Sequence, residues 1–357
     1  MKKIGTKILI YGAGAVGQWL GGLLTRAGYD VSIITRFEFY DALKNKYLEL
    51  QKATGPEFFR NMKVYPTLDR LPHPEQKFDW IFLTVKNYDV QKSLKDLRYK
   101  LMGDVKVATF QCGLGSDDYV SKIVGEKNVV TCCVTTNVAI VQPGQLMEDD
   151  VGGGICLAPL SMGASMGDLP KIFENSGIRI QTFKQYRTMR WNSILFDMVC
   201  NATGAILDYP HERIFEFEKI YELEVKAFEE ALAVIEKLGI EVQDLPGYPV
   251  TKIKFLFLSL PKFLKNIYGI KQLMKLKKGR MPCLRIDMEK GKNVSEVEFL
   301  NGTIVRTAKK MKVAAPVNGF IYDALNRIVE GKIYWEKYKR KIDSFLNDYK
   351  LYMTRVK

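Results

Sequence analysis

Lys7-Ile8-Leu9-Ile10-Tyr11-Gly12-Ala13-Gly14-Ala15-Val16-Gly17 joins a short apolar run to three glycines spaced G-x-G-x-x-G. The apolar run, bounded by glycine, reads as a buried parallel strand. Gln18 to Ala27 then reads as a helix closed by Gly28, and Val31 to Thr35 as a second strand. A strand, a glycine-rich turn, a helix and a second strand form a dinucleotide-binding unit. Gly12 permits the tight turn, Gly14 lets backbone approach a pyrophosphate, and Gly17 lets the helix pack closely on the strand. The helix N-terminus offers N–H groups and a positive dipole end to phosphates. The second strand ends Ile33-Ile34-Thr35-Arg36, without the acid that binds ribose hydroxyls in NAD sites. Arg36 suits a 2′-phosphate, so the expected cofactor is NADP(H).

Working outward, Phe78–Val85, Val105–Gln111 and Val129–Thr136 are further strand-like runs. Lys86 follows the first of these and Cys112-Gly113 the second, at the edge where ligands bind in an open α/β sheet. Strands alternating with helices predict a parallel sheet covered on both faces. Beyond Lys184 the periodicity turns helical, with helices expected over Thr188–Ala205, Phe215–Leu238, Val294–Met311 and Ile321–Ile328. The fold class expected is α/β: an N-terminal Rossmann-type parallel-sheet domain, 1–185, then an all-helical C-terminal domain, 186–357. The 357 residues suffice for two domains at roughly 100–200 residues each.

Composition narrows the classes. Hydrophobic residues at 47% and charged residues at 26% exclude a disordered or collagen-like chain. Six cysteines without a zinc spacing read as reduced thiols, and only two histidines occur, so no metal site is expected. The opening apolar run is too short for a signal-peptide core, and a cytoplasmic location is expected. The net charge of +14 is concentrated locally. Leu245 to Ile286 holds no Asp or Glu and ten basic residues, including Lys252, Lys254, Lys271, Lys275 and Lys277. This stretch reads as helices with a solvated lysine face, as a segment for an anionic membrane surface, or as a basic lid over an anionic substrate. No nucleic-acid motif accompanies the charge.

Several segments in order resemble the ketopantoate reductase (2-dehydropantoate 2-reductase) family. KILIYGAGAVGQWLGGLLTRAGYDVSIITR (7–36) is similar to its NADPH-binding start. FLTVKNYDV (82–90) is similar to its strand ending in lysine, and FQCGLGSDD (110–118) to its Q-N-G segment. RWNSILFDMVCNATGAILDYP (190–210), GKNVSEVEFLNGTIV (291–305) and AAPVN (314–318) resemble three helical-domain segments. The resemblance implies a Rossmann domain, a helical domain and an active site between them, often in a homodimer. It implies hydride transfer from NADPH to the carbonyl carbon of a small 2-oxo acid, with a lysine of the interdomain helix protonating the oxygen. A basic insertion at about 245–280 is extra relative to shorter members.

The departures from the pattern fall in the substrate half. The family's catalytic lysine maps onto Ser193 and its first helix asparagine onto Asp197, while the second stays as Asn201. Ser193, Asp197 and Asn201 are spaced i, i+4, i+8, which predicts one helix face. The asparagine of Q-N-G is Cys112, and Cys283 stands for a serine. Glu296 is kept at the nicotinamide side, with one residue inserted just before it, and His211 falls at a substrate position by spacing. The expected catalytic residues are therefore Ser193, Asp197 and Lys86, with Asn201, His211 and Cys283 on the substrate. Gly12, Ala13, Gly14, Ala15, Val16, Gly17, Arg36, Lys86, Cys112 and Glu296 are expected at the cofactor. Two readings of the lost lysine stay open. Asp197 is protonated in a desolvated pocket and is itself the acid, or Arg190, Arg187 or Lys184 supplies the cation. The alternative to an enzyme is a catalytically retired NADP(H)-binding sensor or membrane-surface-associated protein.

Overall fold

The computed structural model describes residues 5–44, 47–73, 75–149, 152–260, 268–277 and 281–356. Twelve strands lie among these residues: β1 (Lys7–Tyr11), β2 (Asp30–Ile34), β3 (Leu48–Lys52), β4 (Gly55–Phe59), β5 (Lys63–Tyr65), β6 (Trp80–Leu83), β7 (Lys106–Thr109), β8 (Val129–Val134), β9 (Val138–Gln142), β10 (Gln145–Glu148), β11 (Ile155–Pro159) and β12 (Ile180–Thr182). Ile8, Leu9 and Ile10 of β1 have no exposed surface. Burying one such side chain stabilises by roughly 1.5–3 kcal/mol. Apolarity on consecutive positions suits a strand covered on both faces.

Eight strands form one sheet in the order β12-β11-β8-β7-β6-β1-β2-β5. Parallel pairing aligns Ile8 with Val31 on one side and with Trp80 on the other. β11 runs antiparallel to β8, which makes the sheet mostly parallel. The strand order reverses at β1, so the crevice beyond its carboxyl end is the topological switch point where ligands bind such sheets. Helix α1 (Ala15–Arg26) follows β1, and α2 (Phe37–Lys44) follows β2. A second sheet, β4-β3-β10-β9, packs on α1. The sequence reading did not anticipate it, because its strands are short and half-exposed, leaving a weak apolar alternation.

Two compact units divide the described residues of the chain. The first takes in Met1–Gln111, Gly115–Met189 and Leu245–Tyr248; the second takes in Cys112–Leu114, Arg190–Asp244 and Pro249–Lys357. Three further helices, α3 (Val90–Asp96), α4 (Ser116–Val124) and α5 (Leu169–Asn175), belong to the first. Then come α6 (Tyr186–Met198), α7 (Asn201–Leu207), α8 (His211–Ile214), α9 (Glu218–Lys237), α10 (Val250–Lys254), α11 (Ile270–Lys277), α12 (Cys283–Glu289), α13 (Asn301–Met311), α14 (Pro316–Val329) and α15 (Ile342–Val356). Among the described residues no helix is long and apolar enough to cross a membrane.

The single helix expected over Thr188–Ala205 is two helices. Cys200 between them is left-handed, at φ +60°. Its amide donates to Glu224 Oε2 at 2.8 Å, and the Thr203 hydroxyl donates to Glu224 Oε1 at 2.5 Å. A buried carboxylate thus caps the first turn of α7 and stops α6 from running on. Val294–Met311 likewise resolves into a 3₁₀ turn, Glu296–Phe299, and α13.

Candidate functional site

Local packing assigns each glycine of the first turn a separate task. Gly12 has φ +113°, and a Cβ there would stand 2.8 Å from Val85 Cγ1. A Cβ on Gly17 would stand 1.9 Å from the Gly12 carbonyl oxygen, so α1 lies directly on the turn. A Cβ on Gly14 would meet no heavy atom within 4 Å. Gly14 is exposed and is the N-cap of α1, whose first turn carries no acid. The amides of Ala15, Val16 and Gly17 open the helix, where N–H groups have no partner within it. Ala13 is buried, and Ala15 and Val16 are half-buried. This cradle, open at one glycine and closed at two, fits the pyrophosphate of a dinucleotide.

Hydrogen bonds hold the turn in place. Gly12 N donates to Ile34 O at 3.0 Å, tying the end of β1 to that of β2. The Thr84 hydroxyl donates to Gly12 O at 2.5 Å, and Gln18 Nε2 to Ala13 O at 2.9 Å. Gln111 is buried and donates to Leu83 O at 2.8 Å and Val85 O at 3.0 Å, bracing the segment that leads to Lys86. Sequence reasoning overlooked Thr84 and Gln18; only their place beside the glycine turn hinted at a bracing role. Arg36 is exposed just beyond β2, its guanidinium 5.9 Å from the Phe39 ring centroid. Lys86 is half-buried, just beyond β6.

In the second unit, the Ser193 hydroxyl donates to Asp197 Oδ2 at 2.9 Å. Ser193 is buried and Asp197 half-buried, one turn apart on α6. Asn201 does not continue this helix face, because the break at Cys200 places it at the start of α7. There its Nδ2 lies 3.2 Å from Cys283 Sγ, and its Oδ1 accepts from Leu284 N at 3.4 Å. The structure therefore joins Ser193 to Asp197 and Asn201 to Cys283. His211 is buried at the start of α8, and Glu296 is buried at the start of its 3₁₀ turn, where Ser295 Oγ accepts from Val297 N. Cys112 is exposed. Among the cations considered in place of the family lysine, Arg190 is buried, whereas Lys184 and Arg187 are exposed in the first unit.

Two residues that the sequence reading gave no role at the site stand beside α6. Glu224 is wholly buried, and desolvation raises its carboxyl above the usual carboxylate range. Lys277 is also buried, and its Nζ donates to Phe196 O at 2.7 Å. Nothing in the local spacing marked either one, because each acts on residues far along the chain. Lys262, Lys265, Lys278 and Arg280 of the basic stretch lie outside the described residues.

Comparisons with known proteins agree with this arrangement. The sequence profile described as ketopantoate reductase PanE/ApbA matches residues 8–159, and its C-terminal counterpart matches residues 185–329. The 2-dehydropantoate 2-reductase of Pyrococcus abyssi is 28% identical over 330 residues, covering 91% of this chain and 99% of the relative. That of Pyrococcus horikoshii is 24% identical over 319 residues, 88% of this chain and 95% of the relative. A PanE/ApbA family ketopantoate reductase from Ralstonia eutropha superposes with a TM-score of 0.73 at 24% identity, over 92% of this chain and 99% of the other. A D-mandelate dehydrogenase solved with NADH and anilino(oxo)acetate superposes with a TM-score of 0.75 at 20% identity, over 91% of this chain and 99% of the other. At such identities the structural likeness speaks for the fold. With both profiles matched in order along most of its length, the chain belongs to the ketopantoate reductase family.

Proposed function

We propose that this protein is an NADPH-dependent reductase acting on a 2-oxo acid, 2-dehydropantoate or a related carbonyl compound. The observation that carries the reading is the cradle at Gly14, open beside a helix N-terminus that Gly12 and Gly17 close from behind. When bound, the nicotinamide cofactor supplies the hydride. The amides from Ala13 to Gly17 hold its pyrophosphate, and Arg36 pairs with a 2′-phosphate. Lys86, Cys112 and Glu296 shape the nicotinamide end, as the family resemblance assigns them. The 2-oxo acid class is supported by the names of the relatives and by the oxo acid bound in the mandelate dehydrogenase.

Carbonyl reduction needs a proton at the oxygen as hydride reaches the carbon. The Ser193 hydroxyl is already committed to Asp197 and is a weak acid, so it orients rather than protonates. Asn201, Cys283 and His211 are proposed to hold the rest of the substrate. The test is a paired assay on purified protein: NADPH binding by fluorescence, then NADPH oxidation with a panel of 2-oxo acids that includes 2-dehydropantoate. Binding with turnover of one panel member supports the reading. Binding without turnover of any supports the retired sensor, for which the serine at position 193 speaks.

A further inference from the structure

Hydride addition to a carbonyl leaves negative charge on oxygen, and a fixed cation that also carries a proton lowers that barrier most directly. Position 193 holds no such cation. We propose that Lys277, from the acid-free stretch, supplies it. The inference rests on the reductase reading above.

Lys277 is 2% exposed, whereas Lys271 and Lys275 on the same helix are exposed. Its Nζ donates to Phe196 O at 2.7 Å and lies 3.7 Å from the Phe196 ring centroid. Phe196 precedes Asp197 and follows Ser193 by three residues, so the ammonium is anchored on the last turn of α6. The helix break makes room for it. In a continuous helix the Cys200 amide would bond to Phe196 O, but here it is turned to Glu224. A cation at a helix C-terminus is also favoured by the dipole. The chain then runs on to Cys283, which touches Asn201, and α11 packs on α8, which begins with His211. One segment thus brings both an ammonium and Cys283 to the α6–α7 corner. Arg190 does not fill the same role, because a guanidinium does not release a proton. In the step, the hydride that bound NADPH would give up on oxidation to NADP⁺ bonds to the carbonyl carbon, and the C=O π pair moves to oxygen. Oxygen takes a proton from Nζ, giving the hydroxy acid, and the neutral amine regains a proton from water.

The variants are Lys277→Met, Glu224→Gln/Lys277→Met, which also neutralises the facing carboxyl if the single variant fails to fold, and Lys271→Met as an exposed control. Two properties are read: kcat for the best panel substrate, and binding of oxamate, a non-reducible 2-oxo acid mimic, to NADP⁺-loaded protein by calorimetry. The expected result is at least about a hundredfold loss of kcat and about tenfold weaker oxamate binding in both Lys277 variants, with NADPH binding and the Lys271 control unchanged. Adding Ser193→Lys to the double variant is expected to restore about tenfold or more of the lost kcat, which a merely structural lysine would not allow. Wild-type turnover with kcat in the Lys277 variants within about threefold overturns the assignment and leaves the reductase reading standing. Loss of kcat with no rescue and unchanged oxamate binding also overturns it. If the wild type turns over no panel member, the reductase reading fails. Lys277-dependent oxamate binding would then still place this ammonium against the ligand, and Lys277-independent binding would overturn that as well.

Discussion

Gly14 and Gly17 stand three residues apart, and a methyl group acts differently on each. At Gly14 the backbone is ordinary, at φ −69°, and the added carbon meets open space. Gly14→Ala should leave the melting temperature unchanged and weaken NADPH binding about tenfold or more, since the methyl would enter the space proposed for the pyrophosphate. At Gly17 the same carbon overlaps the Gly12 carbonyl. Gly17→Ala should cost stability, by about 1–3 kcal/mol, read by denaturant unfolding. Arg36→Ala should raise the Kd for NADPH about tenfold while leaving NADH nearly unaffected, because the two differ by the 2′-phosphate. Equal losses for both cofactors would remove the argument for NADP. These residues were legible in the sequence because the glycine turn and the strand end are local patterns. Their packing consequences, the close approach of Gly17 to Gly12 and the bracing by Thr84 and Gln111, depend on strands joined only in the fold.

The elements of the sheet were equally legible, since β1, β2, β6, β7 and β8 are short, largely apolar runs. The break between α6 and α7 was not. Its cause is Glu224, 24 residues along the chain from Cys200, and no local spacing reports a cap of that kind. For the same reason the predicted line of Ser193, Asp197 and Asn201 resolves into two contacts on two helices. The buried carboxyl at the break also carries a pH signature. Burial raises the Glu224 pKa in the folded state, although hydrogen bonds from Thr203 and Cys200 and the nearby Lys277 oppose the shift. A group whose folded pKa lies above its unfolded value contributes stability below the unfolded value, and that contribution is lost as pH rises through the folded one. Glu224→Gln removes this titration. The wild type should therefore lose melting temperature relative to Glu224→Gln as pH rises from about 4.5 through the raised value. A constant difference across pH would show that Glu224 titrates alike in both states.

At the scale of the whole molecule, the net charge of +14 would give the anionic cofactor and oxo acid of the proposed reaction a favourable field. Raising NaCl from about 50 to about 500 mM should slow NADPH association several-fold, read by stopped-flow fluorescence, with a smaller effect on dissociation. The acid-free stretch was legible as a basic segment, but not as the source of a buried ammonium. Composition reports a sum of charges, whereas the burial of Lys277 depends on the carbonyl freed at the end of α6. Family, fold and cofactor turn therefore came from short-range pattern, and the groups proposed to face the substrate from long-range packing. The measurement that tests the account most directly is NADPH oxidation by the purified protein with 2-dehydropantoate and a panel of other 2-oxo acids, run after NADPH binding has been read by fluorescence. The account predicts saturable NADPH binding and turnover of at least one member of the panel. Absence of NADPH binding would contradict the reading of Gly12 to Arg36, and binding with no turnover across the panel would contradict the reductase.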